Sequence, residues 1–322
     1  MGQQRTFASI AWQTKGKITR REQFLAEMNA VIPWPDLLAL IQPHYPKPGN
    51  GRPPMPLERM LRIYFLQQWF NLSDPQAEES LYDSESMRRF AGVELGEEVI
   101  PDETTILHFR HLLETQHLTE AIFAQVRHLL AEKRLLLKAG TIVDATIVAA
   151  PSSTKNAQQA RDPEMRQTRK GKDWHFGMKL HVGTDTCGLV HHVTATDAAV
   201  ADITQLPALL HGQERDLYGD QAYWKEDHRQ HWQLAGGRYR VNRRASRHGL
   251  TPYQKQINRR RSQQRARGED PFLVIKRLWG FTKVRYRGIA KNAARAFSLF
   301  ALANLYRVRR RLLPRGFIAC LT

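Results

Sequence analysis

The chain has 322 residues, 42% apolar and 25% charged, and its 49 Lys+Arg outnumber 31 Asp+Glu to give a net charge of +18. At the usual ~100–200 residues per domain this is about two domains with enough apolar content for a core, which excludes disorder as the whole answer. Apolar runs such as Phe297–Leu302 stop well short of the ~18–20 residues a bilayer crossing needs, and the N-terminus lacks a signal peptide's apolar stretch, so a soluble cytoplasmic protein with no membrane partner is expected. The two cysteines, Cys187 and Cys320, form no CxxC, which argues against a disulfide framework or a cysteine zinc site.

Residues 1–135 read as helical. Pro56–Phe70 opens with proline and carries Leu57, Met60, Leu61, Tyr64, Phe65 and Trp69 at three-to-four spacing, the pattern of one amphipathic helix. A second helix is expected near Ser73-Asp74-Pro75 and a third near Asp102-Glu-Thr-Thr105, each with a capping side chain at its start. Short helices with tight turns have the outline of a helix-turn-helix, although a bundle used for packing or dimerisation fits equally. Tyr45–Pro56, rich in Pro and Gly, reads as a loop.

From Gly140 the pattern turns to strands. Thr141–Val148 has six β-branched residues among eight, and His175–Val182 and Leu189–Thr194 alternate around a turn at Gly183–Gly188. A helix over Ile203–His211, a strand over Asp216–Gly219, a helix over Lys225–Leu234, a strand over Gly237–Asn242 and a helical zone from Pro252 complete the order. The polar segment Ser152–Lys172 reads as a surface loop that orders only when a partner is bound. This order predicts an α/β fold, a ribonuclease H-like mixed sheet flanked by helices over residues 136–322, preceded by an all-helical domain over 1–135.

The charge is one-sided. From Arg243 onward there are 21 Lys/Arg and 2 acids, so the remaining 28 basic and 29 acidic residues nearly cancel. A field of that size draws a polyanion, and interleaved Tyr, Trp, Phe and Gln favour nucleic acid over a membrane surface. No HExxH, Walker loop, GxGxxG or GxSxG occurs, which disfavours zinc proteolysis, nucleotide hydrolysis and serine chemistry.

Acids at strand ends are therefore the candidates for chemistry. Asp144 interrupts an apolar strand, where a buried carboxylate needs a cation or donors, or else lies on a solvated edge. Asp220 stands where a strand turns into a helix and could equally be an N-cap. Asp216 is its competitor, at the strand's opposite end. Glu269 and Asp270 are the two acids of the basic region; on a helix, Ser262, Arg265, Glu269 and Lys276 share one face, which could also be a row of surface ion pairs. Three converging carboxylates repel unless cations sit among them, which implies two Mg²⁺ ions, with Mn²⁺ as substitute, supporting in-line phosphoryl transfer.

These blocks resemble the DDE-type insertion-sequence transposases of the IS-five group. Pro53–Arg62 and Pro101–Arg110 are similar to that family's helical N-terminal region, Thr141–Val148 to its first acid block, Tyr218–Tyr223 to its second and Glu269–Gly288 to its third. The resemblance assigns catalysis and metal binding to Asp144, Asp220 and Glu269. The family's third-block pattern of Tyr, Arg, Glu and Lys is kept at Arg265, Glu269 and Lys276, with Ser262 in the tyrosine's place. It implies an enzyme, at least a homodimer on DNA and associated with the nucleoid, that binds terminal inverted repeats, nicks the ends and joins them to target DNA. Arg265 and Lys276 would meet phosphate near the scissile bond, with Arg259, Arg260, Arg261, Arg277, Lys283, Arg285 and Arg287 supplying further contacts to duplex DNA. A DNA-binding descendant without catalysis is the alternative, as is a nuclease that cuts without joining.

Overall fold

Side-chain caps set three of the helix starts in the first part of the chain. The computed structural model describes residues 16–49, 53–94, 98–155, 157, 159–247, 249–314 and 316–317. Within it, α1 (Arg20–Val31), α2 (Trp34–Ile41), α3 (Leu57–Phe70), α4 (Asp74–Asp83), α5 (Glu85–Ala91), α6 (Glu103–Thr115) and α7 (Leu118–Glu132) follow one another. Thr19 and Ser73 form capping boxes with Glu22 and Gln76, and the Asp102 carboxylate accepts from the Thr105 amide. The helices expected from Pro56, Ser73 and Asp102 are thus α3, α4 and α6. The Tyr45–Pro56 loop lacks regular structure where it is described, and residues 50–52 lie outside the described set. Trp34, Phe65, Trp69 and Phe90 meet with ring centroids 5.4–6.0 Å apart and lock α2, α3 and α5 together.

The sheet is built around β1 (Gly140–Ala149). It pairs antiparallel with β3 (Asp173–Asp185) and parallel with β5 (Asp216–Tyr218). β2 (Arg166–Lys170) and β4 (Val190–Asp197) both pair antiparallel with β3, and β6 (Arg238–Tyr239) runs parallel to β5. Because β1 is central and covered on both faces, neighbouring Ile142 and Val143 are both fully buried, and apart from Asp144 and two threonines its sequence is apolar rather than alternating. This arrangement of strands, with helices on its faces, is the ribonuclease H-like fold.

On one face Val143, Leu206, Leu209, Leu217, Tyr223, Tyr239 and Val241 make a small core. The other face meets α9 (Pro252–Arg265, following α8 at Glu226–Leu234), the turns after it, and α10 (Ile289–Leu312). α10 is apolar around most of its girth because it packs against α7, α1 and β4 at once. The Tyr64 hydroxyl lies 3.0 Å from Ser298 Oγ, and Arg285 and Arg295 both donate to Asn71, so the helical region and the C-terminal helix share one core.

Three elements differ from the sequence reading. Arg166–Lys170 is a strand, not part of a loop, although its exposed polar residues carry no alternating pattern. The helix expected over Ile203–His211 is a 3-10 helix over Asp202–Leu209, since Pro207 removes a backbone donor within it. The helical zone breaks after Leu278: Val284 donates to the Ala149 carbonyl at 2.8 Å, so this stretch of chain extends alongside β1 before α10 begins.

Candidate active site

Strand register brings the first two acids together. Ile142 is the parallel partner of Tyr218, so the residues two positions on stand level, Asp144 in the middle of β1 and Asp220 just beyond the end of β5. Asp220 Oδ1 also accepts the Ala222 amide at 2.8 Å and caps the turn Gln221–Tyr223, so the capping role and the position beside Asp144 coexist. Asp216, at the start of the strand and level with Gly140, is held by Arg238 and Arg240 at 2.5 and 2.6 Å and does not line the cleft.

Glu269 arrives through close packing of a turn on β1. α9 passes into a 3-10 turn at Ala266–Glu269, in which a Cβ on Gly268 would stand 2.7 Å from Ile142 Cγ2. Only glycine lets the turn approach this near. Arg265 reaches between the acids, with Nη1 3.5 Å from Asp144 Oδ2 and Nη2 3.2 Å from Glu269 Oε1. Lys276, in the π-helical turn Val274–Leu278, donates to the Ile147 carbonyl at 2.5 Å. Asp144, Asp220, Glu269, Arg265 and Lys276 all line one cleft of about 790 Å³. The four-residue face expected of a continuous helix is therefore kept for three of its members. Ser262 instead accepts from Asn242 Nδ2 at 2.9 Å, away from the cleft lining.

The cleft is electrostatically strained in both directions. Burial pushes the Asp144 carboxyl up to about 6, and the Asp220 and Glu269 charges add to the rise, against the Arg265 guanidinium and the Ala145 amide. Burial also lowers the Lys276 ammonium to about 8, helped by the Lys170 charge. Three carboxylates are hard oxygen donors of the kind that hold Mg²⁺ or Mn²⁺, and a cation among them would relieve the repulsion that Asp144 feels. In the present side-chain positions no three acidic, histidine or cysteine residues among the described residues stand close enough to hold a metal ion, and the Arg265 guanidinium bridges Asp144 and Glu269 instead.

The cleft also contains residues that the sequence pattern did not single out. Lys179 on β3 donates to Asp202 Oδ1 at 2.9 Å and to the Val200 carbonyl at 2.7 Å, and both Lys179 and Asp202 line the cleft. Thr168, Arg169 and Lys170 of β2 line it as well. No motif marks these five; their place follows from β2 and β4 both pairing with β3.

The basic residues divide into two groups. Arg259, Arg260, Arg277, Lys283 and Arg287 are exposed. Arg261 donates to the Val241 carbonyl at 2.6 Å and Arg285 to the Asn71 carbonyl at 2.6 Å, so both are committed within the fold. The same holds for Arg295, Arg307 and Arg309 on α10, which donate to Asn71, Cys187 and Glu27. Part of the C-terminal surplus of charge is therefore structural.

Residues 136–305 match the family described as "Transposase DDE domain", and residues 13–112 match "Transposase domain (DUF772)". Among solved structures, the chain is similar to "Crystal structure of the Mos1 Strand Transfer Complex", with 14% identity over 85% of this chain and 80% of that one and a TM-score of 0.28.

Proposed function

The chain belongs to the Transposase DDE domain family and is a DNA transposase, and on that premise we propose that its cleft cuts and joins DNA at the terminal inverted repeats of an insertion sequence of the IS-five group. The observation that carries this reading is the delivery of Asp144, Asp220 and Glu269 to one cleft from three separate elements, beside Arg265 and Lys276. Residues 136–322 supply the chemistry, and residues 1–135 supply end recognition and assembly of at least a dimer on the DNA, in a cytoplasmic, nucleoid-associated setting.

Asp144, Asp220 and Glu269 are the residues that would hold divalent cations, two Mg²⁺ or Mn²⁺, which when bound supply activation of the attacking oxygen and stabilisation of the leaving 3′-oxygen. Arg265 has two tasks that exclude one another. Without cations its guanidinium neutralises Asp144 and Glu269; with the acids otherwise compensated, its fork is available to a phosphate oxygen. Lys276 is held by a single backbone carbonyl, which leaves its remaining protons for a phosphate oxygen. Arg259, Arg260, Arg277, Lys283 and Arg287 lend sequence-independent phosphate contacts.

The test is Mg²⁺-dependent nicking at the 3′ ends of the element's inverted repeats, measured for the wild type and for Asp144→Asn, Asp220→Asn and Glu269→Gln. Loss of nicking in each variant with retained DNA affinity is expected. Equal nicking by a variant removes that acid from the site, and a wild type that binds but never cuts leaves a DNA-binding protein without catalysis.

A further inference from the structure

The β2–β3 ribbon is a tight hairpin that projects beyond the rest of the sheet. Lys170 pairs with Asp173, so Gly171 and Lys172 form a two-residue turn, with Gly171 at a φ of +64° that suits glycine. Arg166, Arg169, Lys170 and Lys172 stand on this ribbon against the single acid Asp173, and all four are exposed. At its tip Trp174 is 66% exposed. Trp174 is the direct partner of Arg169 in the antiparallel register, so the two side chains leave the same face of the ribbon, and Arg169 lines the cleft that holds the acids. Lys170 lines it too, near enough to Lys276 for its charge to act on that ammonium.

At the tip of the ribbon Trp174 offers solvent a flat aromatic face. Arg169 shares the indole's face, Arg166 and Lys170 alternate onto the other face and Lys172 stands in the turn; together these cations repel a second copy of the same ribbon and attract phosphate. A flat aromatic ring set among cations beside a groove is the arrangement that binds unpaired bases, with stacking on the ring and the backbone tracked by charge. The bases of an intact duplex are already stacked on their neighbours and offer no free face.

We propose that the β2–β3 hairpin is a single-strand-binding arm, on which Trp174 stacks an unpaired base while Arg169 and Lys170 hold the adjoining phosphates at the mouth of the cleft. This deepens the reading of the cleft as a DNA-cutting site, which it takes as its premise.

Binding is measured without divalent cations, so that no chemistry enters, using an oligothymidine of about 16 nucleotides and a duplex of about 20 base pairs. Trp174→Ala should weaken the oligothymidine about tenfold and the duplex less than about twofold, whereas Trp174→Phe should keep most of the single-strand affinity. Arg169→Gln with Lys170→Gln should lower affinity for the oligothymidine and flatten its salt dependence. Unchanged oligothymidine binding by Trp174→Ala, or an equal loss for both probes, overturns the proposal. Melting temperatures matching the wild type establish that the exposed substitutions leave the fold intact. Because the acids take no part in this assay, failure of the arm and failure of the cutting reaction are read separately.

Discussion

Asp144 should make the protein less stable than it could be. An ordinary aspartate titrates near 3.8, whereas burial raises this one to about 6 with its side chain 14% exposed. The difference is worth about 3 kcal/mol at the standard conversion between pKa and free energy. The sign follows from proton counting. Between about pH 4 and 6 the folded state keeps the Asp144 proton that the unfolded state has lost, so stability falls as pH rises through this window and stays reduced above it. Asp144→Asn removes the titration and can keep the bond from the Ala145 amide, now to Oδ1 of the asparagine. In EDTA at neutral pH the variant should exceed the wild type by about 3 kcal/mol, or about 4 °C in melting temperature if the whole chain unfolds together. The gap should shrink toward pH 4. Urea unfolding curves at a series of pH values measure it, and adding Mg²⁺ should stabilise the wild type alone, narrowing the gap. A pH-independent gap, or a variant less stable than the wild type at neutral pH, would refute the reasoning.

Gly268→Ala puts a methyl group against Ile142 and should destabilise by ~1–3 kcal/mol while lowering nicking more than an equally destabilising change elsewhere, because the turn that carries Glu269 must lift from β1. Lys276 should lose its charge as pH rises through about 8, so affinity for DNA falls between about pH 7 and 9, and Lys276→Arg should flatten that profile. Arg259→Gln with Arg260→Gln should reduce the slope of log affinity against log salt by about 2 at unchanged stability. Arg261→Gln should leave the slope alone and cost ~1–2 kcal/mol in urea, because it removes the donor to the Val241 carbonyl.

The order of elements was legible from Gly140 onward because each strand carries its own signal: β-branched runs for β1, alternation for β3 and β4, and glycine at the turns. β2 escaped because a strand at the margin of a sheet, exposed on both faces, has no apolar period, and Arg166–Lys170 consists of polar residues throughout. The 3-10 helix over Asp202–Leu209 was read as a regular helix because its apolar residues satisfy either period and Pro207 alone distinguishes them. Among the basic residues, Arg259 and Arg261 look alike in sequence. Their difference is rotational, since one side of α9 meets the Val241 backbone and the other meets solvent.

The acids were legible for a different reason from the strands. A carboxylate within an apolar strand and another within a basic segment each violate the local pattern, and such violations persist where function requires them. Asp202 breaks no pattern, since it stands among polar and small residues, and its arrival in the cleft depends on the path from β4 and on Lys179 reaching it at 2.9 Å. Arg265 combines both kinds of information. Its spacing from Glu269 is visible in the sequence as an ordinary helical ion pair, but its second contact, with Asp144 121 positions earlier, exists only in the fold. That contact gives the guanidinium a place between two acids that repel each other, so Arg265→Gln should push the Asp144 carboxyl above 6 in the apo protein and carry the stability loss on to higher pH. A urea series on this variant that matched the wild type at every pH would show that the arginine does not govern the titration of Asp144.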